Sequence, residues 1–407
     1  MWRHFFFMIN SGDTAFVLIC AAMVCLMTPG LAFFYGGLVR KKNMLTIMMQ
    51  SFIAMGVVAL IWFVCGFSLA FGTDVKGVIG NFQYAFLNGV GMEPNAAYAG
   101  TIPFAAFFLF QLMFAIITPA LITGAFADRM TFKSYLIFLS LWSLLVYVPC
   151  AHWVWGGGFL QKLGVADFAG GIAIHTSAGV AALVSVLVIG KRTMQKGEDG
   201  KPASLTLFAI GTAILWFGWF GFNGGSALAA NGKAAIAFVN TALAGGVTML
   251  AWLAISWNHT KHPSMVEALT GAVAGFVAIT PAAGYVSPWA AVLIGLIAAF
   301  VCYGAVQFRR KKGLDDALDV VGVHGVGGIL GSLLVGVFAQ QAIGGVDGLV
   351  AGNAHQLLVQ LISVAVVAAY SAVITFVLLK GINLITPVRA SEKLEAAGLD
   401  TEFQEEA

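Results

Sequence analysis

Residues 167–184, DFAGGIAIHTSAGVAALV, read as a helix that crosses a bilayer and carries one ionisable side chain, His175, at depth. Asp167 precedes that histidine by eight positions and Gly179 follows it by four. The same spacing returns at 316–333, DALDVVGVHGVGGILGSL, where His324 stands eight residues after Asp316 and four before Gly328. An ionisable residue at membrane depth is costly, and by default it marks a site. Two copies of one small-residue helix, each with its histidine, point to a bundle built from related halves and make His175 and His324 the first candidates.

Outward from these segments the composition agrees. Of 407 residues, 60% are hydrophobic and 10% charged, with a mean hydropathy of +0.91. A spanning helix needs about 20 mostly apolar residues. Eleven stretches qualify: 14–35, 45–71, 103–126, 132–153, 168–189, 204–222, 234–257, 265–280, 286–307, 321–339 and 355–384, the eighth being the shortest. They are continuously apolar, whereas barrel strands alternate over about 10 residues. The expected fold is therefore an all-α polytopic membrane protein with eleven transmembrane helices. The five cysteines, at 20, 25, 65, 150 and 302, lie in or beside apolar runs and read as buried thiols, neither a disulfide frame nor a zinc site. The opening residues, with Arg3 and His4 before FFFMI, lack the pattern of a cleavable signal peptide. No metal, cofactor, nucleic acid or enzymatic chemistry is indicated.

With the N-terminus outside, 17 of the 21 Lys and Arg fall on the inner side, among them Arg40, Lys41, Lys42, Lys191, Arg192, Lys196 and the run Arg309 to Lys312. Arg3, Lys76, Lys162 and Lys233 remain outside. This bias orients a multi-pass chain in the cell (inner) membrane with a cytoplasmic C-terminus. The whole chain, 1–407, reads as one membrane domain. It divides into a first five-helix repeat at 12–190, a second at 202–340, an eleventh helix at 355–385 and a cytoplasmic tail at 386–407. Five is odd, so the second half is inverted. The first helix of each half closes similarly, GLAFFYGGL at 30–38 and GWFGFNGGS at 218–226. Inverted repeats place solute sites near the midplane where the halves meet.

A bare cation at the bilayer centre costs about 2.5 to 3.5 kcal/mol on insertion scales and roughly 10 to 17 in simulations. No mid-helix acid offsets that cost here, since Asp167, Asp319 and Glu267 all sit at or near predicted helix ends. A permeant that sheds its proton avoids it, and two neutral imidazoles, each with one donor and one acceptor, suit such a permeant. Taken alone, the other candidates have plain alternatives. Trp155, in AHWVWGGG at 151–158, can attract a cation with about 2 kcal/mol or more when desolvated, but tryptophan also belongs to interfacial belts. Phe110, Phe114 and Phe222 are three among 33 phenylalanines. Ser226, after FNGG, is a common turn residue, and Asp167 is an apt N-cap.

The motifs taken together resemble the ammonium transporter family (Amt/Mep/Rh), its bacterial Amt branch in particular. They include PGLAFFYGGLVRKKN at 29–43, AHWVWGGG at 151–158, DFAGGIAIH at 167–175, ILWFGWFGFNGGSA at 214–227, DVVGVHGVGG at 319–328 and HQLLVQL at 355–361. The resemblance implies a homotrimer with one pore per subunit, conducting ammonium or ammonia. It implies an outer recruitment site of Trp155, Phe114 and Ser226, a stacked gate of Phe114 and Phe222, and a twin-His pair of His175 and His324. Phe110 and Gln111 would lie beside the pore, with Asp167 supporting the outer site without touching solute. Two other classes compete. One is an ammonium sensor or scaffold docking a PII-type signal protein on its basic inner loops. The other is a redox protein with haem held axially by His175 and His324.

Overall fold

A computed structural model describes residues 9–193 and 201–403. The first eight residues, read above for a signal peptide, fall outside the described residues, as do Lys196 and the last four residues of the tail. Ten helices in the described residues are long and apolar enough to cross a membrane, joined by one shorter apolar helix. In chain order they are α1 (Ser11–Leu38), α2 (Lys41–Phe71), α3 (Phe104–Phe126), α4 (Phe132–Leu163), α5 (Gly171–Ile189), α6 (Leu205–Gly225), α7 (Gly232–Thr260), the short α8 (Met265–Ile279), α9 (Pro288–Lys312), α10 (Val321–Phe338) and α11 (Ala354–Ile385). The eleven expected segments are all present. Several run further than apolarity alone predicts: α4 reaches Leu163 through a short kinked turn, and α9 continues to Lys312 through its basic run.

Hydrocarbon offers no partner for backbone groups, so helices must satisfy their own and cap their ends. Side chains do this at several helix starts: Asn10 for α1, Ser204 for α6, Asn231 for α7 and Ser264 for α8 each accept from a first-turn N–H. Past α9 the chain turns at Gly313 with φ of 64°, a left-handed conformation that glycine adopts without strain.

Glycine-lined crossings set the packing. α1 lies along α6, where a Cβ at Gly37 would strike the backbone at Phe208, and one at Gly211 would strike the backbone at Phe34. α5 crosses α10 at Gly179 against Gly325, backbone on backbone, while Gly328 abuts the Cβ of His175. α11 clamps this second crossing. Gln360 donates to the carbonyls of Ala166 at 2.8 Å and Ser332 at 2.9 Å, and its Oε1 accepts from Ala166 N. The helices that carry the two histidines are thus fixed to each other and to α11 by close contact and by buried hydrogen bonds.

The two ends of the bundle differ. At the N-terminal face, where α1 begins, residues 72–103 form two small hairpins, pairing Asp74–Val75 with Ile79–Gly80 and Pro94–Asn95 with Ala99–Pro103. At the opposite face a network of ion pairs joins separate loops: Arg40 to Asp128 at 3.0 Å, Arg192 to Asp128 at 3.1 Å and Asp315 at 2.8 Å, and Arg129 to Asp315 at 2.8 Å. Burial works against the charge on Asp315, yet hydrogen bonds and charge from Arg192, with Arg129, hold its carboxyl down to about 2. The tail returns across this face as α12 (Glu392–Ala397). Asp400 beyond it accepts from the backbone of Leu45 and Thr46 and from the Thr46 hydroxyl. Glu395 binds Arg389 and the backbone of Thr193.

Candidate functional site

Two recesses enter the bundle from opposite faces and point at each other through the histidine-bearing helices. The one at the N-terminal face, about 170 Å³, is walled by Phe114 and Gln111 of α3, Trp155 of α4, Ser226 at the end of α6 and a ring of aromatics that includes Phe71, Tyr98, Phe107 and Phe168. The one at the C-terminal face, about 160 Å³, is walled by Phe34 and Tyr35 of α1, Glu267 and Thr270 of α8, Arg310, Asp319 and His324. Between them lies a slot of about 10 Å³ lined by Met27, Leu31, Ile117, Leu215, Trp219 and Phe222, with His175 and His324. A space of that size is close to the least that holds one water-sized molecule.

The expected site residues divide clearly by location. Trp155, Phe114, Ser226 and Gln111 meet at the first recess. The indole N–H of Trp155 donates to the Asp167 carbonyl at 2.9 Å, which fixes the ring, and its centroid lies 6.4 Å from that of Phe114. Ser226 Oγ donates to the Phe222 carbonyl at 2.9 Å, leaving its lone pairs free to accept. Gln111 is buried, and its Oε1 has no partner among the described residues. Phe110 stands apart. It is fully buried against Phe114 at 4.8 Å and against Gly225, so it backs the recess without lining it.

Phe114 and Phe222 separate the recess from the slot. Their centroids are 4.4 Å apart at 69°, so the expected stacked gate is an edge-to-face pair. The negative face and positive edge of aromatic rings favour that geometry over a parallel sandwich.

Past this pair, His175 and His324 meet with Nδ1 to Nδ1 at 3.2 Å and centroids 5.3 Å apart, both buried. One Nδ1 must donate and the other accept. For two neutral rings the donor's Nε2 is then a lone pair and the acceptor's Nε2 an N–H. The pair therefore always presents one donor and one acceptor. The Nε2 of His175 has no partner among the described residues, and its ring is stacked on Trp219 at 5.8 Å and 18°. A haem does not fit between these nitrogens, because no porphyrin plane passes between atoms 3.2 Å apart.

Each histidine sits in a widened π-type turn, Gly171–Thr176 in α5 and Val321–Val326 in α10. Such turns are rare and concentrate at functional sites. Asp167 starts the first: Oδ1 accepts from Gly170 and Gly171 N at 2.8 and 2.7 Å, and Oδ2 from Ile172 and Ala173 N at 2.8 and 3.1 Å. The carboxylate is a cap, and it reaches the recess only through its main-chain hold on Trp155. Trp219, the second recess and the extra recess aromatics were not among the expected site features. Trp219 lay in the quoted GWFGFNGGS motif, three residues before Phe222 on one helix face, which was the available signal.

Residues 15–407 match the sequence profile of the Ammonium Transporter Family. The ammonium transporter of Bacillus subtilis (strain 168) is 46% identical over 392 residues, covering 96% of each chain. The crystal structure of Saccharomyces cerevisiae Mep2 superposes with a TM-score of 0.88 at 35% identity, over 94% of this chain and 88% of that one. A structure described as "Sensor Amt Protein" superposes at 0.89 with 29% identity, over 96% and 98%. With its eleven helices, its facing recesses and this agreement along nearly its whole length, the chain belongs to the ammonium transporter family.

Proposed function

We propose that the chain carries ammonium across the membrane by stripping one proton and passing ammonia through the histidine-lined slot. The observation that carries this reading is the slot itself: about 10 Å³, closed by Phe114 and Phe222, apolar except for two imidazoles, and set between two wider recesses. Trp155 and Phe114 offer ring faces to the cation, while Ser226 and the unpartnered Gln111 Oε1 accept its N–H groups. A cation–π contact in such a recess is worth about 2 kcal/mol or more once desolvated. That falls short of the cost of carrying a full charge through an apolar slot, roughly 10 kcal/mol or more in simulations. Ammonia has no such cost, and its lone pair and N–H groups match the donor and acceptor that the His pair presents. The shared Nδ1 contact supplies a separate relay for the proton.

The wider assembly follows the same reading: N-terminus outside, tail in the cytoplasm, and a homotrimer with one pore in each subunit. The pairing of α1 with α6 and of α5 with α10 supports two inverted five-helix repeats, since a pseudo-two-fold axis pairs equivalent helices. Purified protein in liposomes should give an ammonium-evoked current, or ammonia equilibration faster than in protein-free liposomes; absence of both would refute transport.

A second reading is favoured by the likeness to the structure described as "Sensor Amt Protein". Here ammonium occupancy alters the C-terminal face, and a PII-type signal protein docks on its basic loops. Binding of such a partner that ignores ammonium, with its effectors present, would exclude the sensor role.

A further inference from the structure

Asp167 and Asp316 stand at matching places before the two histidine turns, yet their surroundings differ. Asp167 accepts four backbone hydrogen bonds. Asp316 is 2% exposed, accepts from Val321 N at 2.7 Å through Oδ2, and its Oδ1 is buried without a hydrogen-bond partner among the described residues. A carboxylate oxygen in that state is expensive, and protonation is the ordinary relief. Resting on the transport reading above, we propose that Asp316 is a positioning residue for the His pair: a titratable cap on α10 through which protonation at the C-terminal face changes how the turn holding His324 is held.

The titratable groups around Asp316 are Arg129 from the α3–α4 turn, Arg309 from α9, Asp319 from its own loop and the neutral phenol of Tyr35 from α1. Burial and then the neighbouring Asp319 push its carboxyl up to about 7, against the pull of the Val321 N–H and Arg309. When ionised, Asp316 holds the first free N–H of α10 with a full charge at the positive end of the helix. When protonated, it keeps only a neutral hydrogen bond there. The turn from Val321 to Val326 carries His324, so a looser first turn alters the 3.2 Å contact with His175.

The test uses the full chain in liposomes at internal pH 5.5 to 8.5, with wild type and Asp316→Asn. Difference infrared spectra should show a buried carboxyl titrating near neutrality in wild type and missing from the variant. The 15N signals of His324, assigned with His324→Ala, should move with the same midpoint in wild type only. Ammonium-evoked current should inflect at that pH in wild type and run flat through it in the variant. No titrating carboxyl in wild type, or His324 signals that ignore it, overturns the proposal; so does an unchanged inflection in Asp316→Asn. The spectroscopic results stand even if no current is seen, so loss of the transport reading is separately visible. Should the variant fail to fold, the wild-type infrared and 15N titrations decide the matter.

Discussion

Asp167 gives all its acceptor capacity to four N–H groups at the start of α5 and lends its carbonyl to Trp155. Asp167→Ala orphans those donors in a buried place, where each unsatisfied group costs about 1 to 3 kcal/mol before relaxation. The expected loss is at least about 2 kcal/mol, read as a lower thermal unfolding midpoint in detergent, together with weaker ammonium-evoked current because the loosened turn shifts the main-chain carbonyl that holds the Trp155 indole. A variant as stable as wild type would mean that the cap is dispensable. Residues of this kind were legible from spacing, since an acid eight positions before a buried histidine fits a helix start. Phe114 and Phe222 were not. Among 33 phenylalanines, only motif likeness singled them out, because their ring pair forms where two helices distant in sequence meet, and periodicity records one helix at a time.

At the scale of elements, the contact between α5 and α10 positions the histidines, and it depends on residues with no side chain. Gly179 rests on the backbone of Gly325, leaving no space for a larger residue. Gly179→Val should separate the two helices, cost about 1 to 3 kcal/mol or more as overpacking, and reduce current beyond any loss of protein. Equal current per folded molecule would argue against the need for this crossing. The tail is a second element with a defined seat. Asp400→Ala removes three hydrogen bonds to the start of α2, so Lys393 should become more open to trypsin; an unchanged cleavage rate would show that α12 is held by other contacts. The hydropathy of the sequence marked all eleven helices because burial in lipid requires long apolar runs. It was silent on the docked tail, a polar segment whose place is fixed by partners up to 356 residues away.

For the whole molecule, the C-terminal face joins loops from four parts of the chain through Asp128, Asp315, Arg40, Arg129 and Arg192. Asp315 is held down to about 2, below the roughly 3.9 of a free aspartate. Its contribution to stability is therefore complete above pH 4 and is lost as pH falls from about 4 towards 2. Arg192→Ala should flatten that part of the acid-unfolding profile; a profile as steep as wild type would place the acid sensitivity elsewhere. The duplicated D-x7-H elements foretold that two histidines would meet. They did not foretell the second recess, whose wall draws Tyr35, Glu267 and Arg310 from three different helices. The most direct test of the ammonia route is solid-supported membrane electrophysiology on liposomes holding wild type or His175→Ala/His324→Ala, with ammonia permeability followed in the same vesicles. If the His pair relays the proton, wild type gives an ammonium-evoked current that the double variant loses, while ammonia still permeates faster than through protein-free vesicles. A double variant whose current matches wild type would contradict it.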